Sequence, residues 1–108
     1  MTPKAPTQRV RMSQIPTKTP ENELKFKKEA EEAMNKYFQP LFIDAKRFKN
    51  KFYKALDIII EKSPQTIPEW LSENQKRALA AKRLYHILRK KGETLEMILD
   101  KIIKQYKS

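Results

Sequence analysis

The sequence predicts an all-α fold, a small bundle of about four helices preceded by a disordered basic arm. Three observations predict it. Glycine is absent until Gly92, the single glycine in 108 residues. Alternation of apolar and polar residues never persists beyond a few positions, so the half-buried strand pattern is missing. Apolar residues instead recur at helical spacing in segments bounded by Pro40, Ser63-Pro64 and Gly92. A chain of this length supports one small domain, placed at residues 21–108 behind an arm of residues 1–20.

The arm contains Pro3, Pro6, Pro16 and Pro20 and no acid. Proline fixes φ and lacks an N–H, so four of them forbid a continuous helix here. Lys4, Arg9, Arg11 and Lys18 make the segment basic. Few large apolar groups are present to dock it, which gives an extended, flexible arm. At ~3.3 Å per residue it reaches up to about 60 Å. No apolar stretch of the secretory type follows its charges, and the expected location is intracellular, cytoplasmic or nucleoid-associated.

The first helix is expected over residues 21–38. Thr19 and Pro20 suit a helix start. Glu21/Lys25, Glu23/Lys27 and Glu32/Lys36 stand at i,i+4 in the favourable order. Leu24, Ala30, Met34, Tyr37 and Phe38 are its candidate buried positions, and Pro40 separates it from the next helix. The second helix is expected over residues 41–62, with Ala45, Phe48, Phe52, Ala55, Leu56 and Ile59 in one apolar arc. Residues 63–71 form a turn. The third helix, residues 72–91, opens on the capping-box pattern Ser72-Glu73-Asn74-Gln75, with Thr66 and Glu69 as an alternative start. Its buried face is Ala78, Ala81, Leu84, Tyr85 and Leu88, and Gly92 ends it in the left-handed conformation. The fourth helix, residues 93–106, buries Leu95, Ile98, Leu99, Ile102 and Tyr106. These helices and their short connections describe a bundle.

Composition excludes several kinds of chemistry. One glycine cannot build a Gly-rich phosphate loop or a dinucleotide fingerprint. With no cysteine there is no disulfide, zinc-finger or thiol chemistry, and the single His86 supplies no multi-histidine metal site. As a general base His86 needs an orienting acid, which the sequence does not supply, so it reads as an exposed or phosphate-contacting side chain. Glu29, Glu31 and Glu32 read as solvated helix surface. The expectation is a non-enzymatic protein without cofactor, metal or small-molecule substrate. Apolar runs such as Ile58-Ile59-Ile60 are too short to cross a bilayer, and no membrane partner is expected.

The charge points to a partner. Lys and Arg number 24 against 13 Asp and Glu, a net charge of +11. A charge this large opposes compaction and suits a polyanion. From Lys76 to Lys91 there are seven bases and no acid. Projected on a helix, Lys82, Arg83, His86, Arg89 and Lys90 fall in an arc of about 120°, with Gln75 and Leu79 continuing the stripe. Lys76 stands at its start. Like charges side by side repel unless an anion neutralises them. The expected ligand is nucleic acid, DNA or RNA, held chiefly through phosphates.

A second basic strip, Lys46, Arg47, Lys51 and Lys54, lies on the second helix with Tyr53 at its border, where an aromatic ring can stack on a base. Arg9 and Arg11 of the arm are further candidate contacts, whereas Lys25 and Lys36 stand off the expected surface. A helix-turn-helix built from the third helix, Gly92 and the fourth helix fits poorly. Its would-be recognition helix carries Glu96 and Asp100, which would repel DNA. Trp70, Met97, Ile58 and Ile60 exceed the apolar stripes. They cover the bundle ends or form a docking patch, so a protein–protein adaptor bound to an acidic partner through Trp70 and Met97 is the alternative. The leading expectation is a small accessory or structural subunit of a larger nucleoprotein complex, with a protein partner in that complex.

Overall fold

Thr19 opens the first helix as its sequence context dictates. In the computed structural model, which describes residues 16–107, α1 spans Pro20–Ala33. The Thr19 hydroxyl accepts the Asn22 N–H at 3.1 Å, and Pro20 takes a first-turn place where its missing N–H costs nothing. Glu21 and Glu23 in the first turn complement the positive end of the helix dipole. Most of the predicted arm, including Arg9 and Arg11, lies outside the described residues.

Pro40 does not end the first helix, contrary to expectation. The rod continues through a π turn, Met34–Phe38, into α2, Gln39–Asp44. A proline inside a helix removes one hydrogen bond and presses its ring on the carbonyl four residues back, here that of Lys36. In the π turn the Gln39 N–H donates to Met34 O, five residues back. The wider turn accommodates the ring and the helix passes through.

The break falls five residues later. Ala45, fully buried, shares its N–H between Leu41 O at 2.8 Å and Phe42 O at 3.1 Å. A 3₁₀ turn, Lys46–Phe48, then leads into α3, Lys49–Lys62. The predicted helix over 41–62 is therefore two helices. No glycine or proline marks the corner. It lets Leu41 and Phe52, one from each side, enter the same core, where Phe38, Phe42 and Tyr53 surround the Phe52 ring.

α4, Glu73–Lys91, starts on the predicted capping box, with the Ser72 hydroxyl accepting the Gln75 N–H at 3.2 Å. The Gln75 side-chain Oε1 in return accepts the Ser72 N–H at 3.1 Å, and Thr66 stays in the preceding turn. Gly92 ends the helix at φ 67°, as expected. α5, Leu95–Lys107, follows, its Thr94 hydroxyl accepting the Met97 N–H. No strand occurs among the described residues, and none of their helices is long and apolar enough to cross a membrane.

α4 is the central helix. Ala78, Leu79, Ala80, Ala81 and Leu84 are all buried, and these positions point in every direction around the axis. The alanines let α1, the π turn and α3 come close, while α5 packs mainly on α3. Phe52, Leu56, Leu84 and Leu99 are the large side chains sealed in the centre, each stabilising the fold by about 1.5–3 kcal/mol through burial.

Several expected core positions differ. Leu24 is 54% exposed and Phe26 takes its place, buried edge-on against the half-buried Trp70. Met34, Tyr37, Phe38, Phe48, Tyr85, Leu88, Leu95 and Ile102 are only half-buried at the rim, and Ile58 is buried. Tyr106 is exposed because its hydroxyl donates outward to Glu61 at 3.1 Å. Of the i,i+4 pairs, Glu73–Arg77 closes at 3.5 Å; Glu21/Lys25, Glu23/Lys27 and Glu32/Lys36 are not among the ion pairs of the described residues. Exposed pairs gain little against the rotamer freedom they give up.

Candidate nucleic-acid interface

The first half of α4 is wrapped by its neighbours; the second half emerges with one side open. The predicted stripe therefore does not run the length of the helix. Gln75 is occupied by the capping box and Leu79 is buried, so both fall out of it. Lys76 is half-buried two turns before Arg83, about 10 Å along the axis.

From residue 82 onward the predicted side chains come together. Lys82, Arg83, His86 and Lys90 line one cleft of about 420 Å³ whose apolar floor includes Ile67, Leu79 and Ile87. His86 and Lys90 also form a wall of a second recess of about 610 Å³, completed by Arg89, Tyr85, Tyr37 and Lys36. The His86–Lys90 row is thus a ridge between two recesses.

The electrostatics of this ridge are one-sided. None of Lys82, Arg83, His86, Arg89 and Lys90 belongs to the ion pairs within 4.0 Å found among the described residues. Glu29 of α1 stands in the wall of the first cleft but closes no ion pair there. Arg89, Lys90 and Lys91 occupy the last turn of α4, where the negative end of the helix dipole favours them. That stabilisation fades within a turn and does not reach Lys82 or Arg83.

The second recess holds aromatic groups that the sequence pattern assigned to the core. Tyr37, from the π turn, and Tyr85, from α4, have ring centroids 4.9 Å apart. The His86 ring lies 5.7 Å from Tyr37 and 5.9 Å from Tyr85. The Arg89 guanidinium stands 5.9 Å from the Tyr85 centroid, and Lys36 Nζ 6.0 Å from that of Tyr37. Lys36, expected off the surface, borders it. The signal available in sequence was each tyrosine's place beside a base, Lys36-Tyr37 and Tyr85-His86.

The second predicted strip is not one strip. Lys46 and Arg47 sit exposed on the 3₁₀ turn, while Lys51 and Lys54 belong to α3, because the corner at Ala45 divides the helix that was to carry all four. Lys51 is taken up internally: its ammonium reaches Asp100 at 3.0 Å and Glu96 at 3.3 Å on α5. Hydrogen bonds to Asp100 first, then Glu96, hold its pKa above the ordinary lysine value. Tyr53 is half-buried, with the Arg77 guanidinium 4.8 Å over its ring.

The acids that spoil a helix-turn-helix reading, Glu96 and Asp100, thus grip α3. Trp70 is also occupied, its Nε1–H donating to Pro16 O at 3.0 Å. Met97 remains exposed. Among the described residues no group of three or more His, Asp or Glu side chains is placed to hold a metal ion, and no carboxylate hydrogen-bonds His86.

Compared with known proteins, the chain matches no family model, no curated protein and no solved structure.

Proposed function

We propose that this protein binds nucleic acid through phosphate contacts made by the open half of α4, without catalysing a reaction. One observation carries the reading. Lys82, Arg83, His86, Arg89 and Lys90 share a continuous ridge and its flanks, and among the described residues no carboxylate within 4.0 Å neutralises any of them. The ridge suits a strand of phosphates, since residues 82 to 90 span about 12 Å along the axis. Lys36 extends the same positive surface from the π turn. In this reading the bundle serves as a small accessory or structural subunit of a larger nucleoprotein complex.

The alternative adaptor reading rests on the exposed Met97 and on Trp70, which is half-buried, packs on Phe26 and donates to Pro16. Binding of fluorescent oligonucleotides, measured across salt concentrations, tests the proposal. With about six phosphates neutralised on duplex DNA, log affinity falls against log salt with a slope near −5. A slope near zero, or no binding at about 0.15 M salt, rejects it.

A further inference from the structure

The second recess bears on which form of nucleic acid the ridge takes. A ridge of cations alone suits any polyanion. Here it borders two tyrosine rings 4.9 Å apart, a histidine ring within 6 Å of both, and three further cations, Lys36, Arg89 and Lys90. The rings come from two elements distant in sequence, so no single-helix pattern explains them. Both tyrosines are half-buried: packing on the core fixes them while part of each side chain faces the recess. Aromatic rings fixed beside cations form a platform for unpaired bases, whose flat faces are hidden inside a duplex.

Resting on the phosphate-binding reading above, we propose that the recess walled by Tyr37, Tyr85 and His86 stacks an unpaired base of a single strand whose phosphates lie along Arg89, Lys90 and Arg83. The ligand class is single-stranded nucleic acid. RNA and DNA share the chemistry that the recess reads, a π face next to a phosphodiester. The neighbouring cleft, with an apolar floor, a rim of Lys82, Arg83 and Lys90, and Glu29 in its wall, receives the next nucleotide across the ridge. Stacking favours single strands without selecting a sequence, because every base offers a π face.

The test compares four labelled probes of about a dozen nucleotides on the full chain: single-stranded DNA, single-stranded RNA, a duplex, and a strand with the same phosphates but abasic sugars. An intact single strand, DNA or RNA, is expected to bind at least about fivefold more tightly than the abasic strand, with the same salt slope. Replacing both Tyr37→Leu and Tyr85→Leu removes that ratio and leaves the slope; Tyr37→Phe with Tyr85→Phe keeps the ratio and separates lost stacking from lost folding. Equal affinity for intact and abasic strands overturns the stacking proposal while phosphate binding stands. So does tighter binding of the duplex. Failure of every probe to bind overturns both readings together.

Discussion

Two regions of this molecule carry the same kinds of charged side chain to opposite ends. At the α3–α5 seam, Lys51 is clasped by Asp100 and Glu96 and the Tyr106 hydroxyl by Glu61, and next to it Lys101 of α5 is held by Glu93 of the preceding turn. On the open half of α4, Lys82, Arg83, Arg89 and Lys90 form no ion pair with any described carboxylate. The seam uses its charges to fix one helix on another. The ridge leaves them facing solvent, at the cost of mutual repulsion. What differs is the neighbour: α5 brings acids to α3, whereas α1 and the π turn bring to α4 one half-buried glutamate, a lysine and a tyrosine.

That contrast orders four predictions. The largest effect belongs to the seam's core. Leu99→Ala empties a fully buried site and should destabilise the fold by about 2–5 kcal/mol in chemical denaturation. Below the lowered midpoint, affinity for nucleic acid is unchanged. Next, replacing Arg83, Arg89 and Lys90 together by Gln should weaken binding about tenfold or more and flatten the salt slope by about 2 to 3. The thermal midpoint shifts little, because no ion pair among the described residues is lost and relief of mutual repulsion offsets the lost helix-dipole stabilisation of Arg89 and Lys90. Lys25→Gln, on the exposed side of α1, is the control and changes neither quantity.

The third variant probes the end of the ridge. Gly92→Ala meets no atom within 4 Å of the new Cβ, yet forces a non-glycine residue to φ 67°. It should cost about 1–2 kcal/mol in stability without altering the salt slope. The smallest effect is electrostatic, at the seam. Lys51 and Tyr106 both have raised pKa values, from the partners Asp100 and Glu96 and the partner Glu61 respectively. In each case the fold favours the protonated form. The contribution is therefore whole below the ordinary values of 10.5 and 10.0 and disappears as pH rises through the higher folded values. The wild-type thermal midpoint should fall more steeply in that alkaline range than that of a Lys51→Gln, Tyr106→Phe double variant. Added salt shrinks the difference, since both groups are exposed.

Signals confined to one helix were legible in the sequence. The Thr19 cap, the Ser72–Gln75 box and the left-handed Gly92 need only a few adjacent residues, and each forms as read. The basic character of α4 was legible too, since seven bases without an acid between Lys76 and Lys91 stand out in any projection. Features decided by packing were not. Pro40 reads as a stop until a π turn absorbs its ring, and the corner at Ala45 has no punctuating residue at all. Leu79 looks like part of a solvent-facing stripe because helical projection cannot reveal that α4 is surrounded in its first half. Lys51 and Lys54 look alike by sequence, and only the approach of α5 separates them. The aromatic recess was hidden for the same reason, its two tyrosines standing 48 positions apart (85 − 37).

Amide chemical-shift mapping decides most directly between ridge and seam. On titration of the full chain with a single-stranded oligonucleotide, signals of residues 82–91 and of Lys36 and Tyr37 should move together. Those of Lys51, Glu96 and Asp100 should stay fixed. Shifts centred instead on the 3₁₀ turn at Lys46 and Arg47, or on α5 around Met97, would contradict a binding surface built from the unpaired cations of α4.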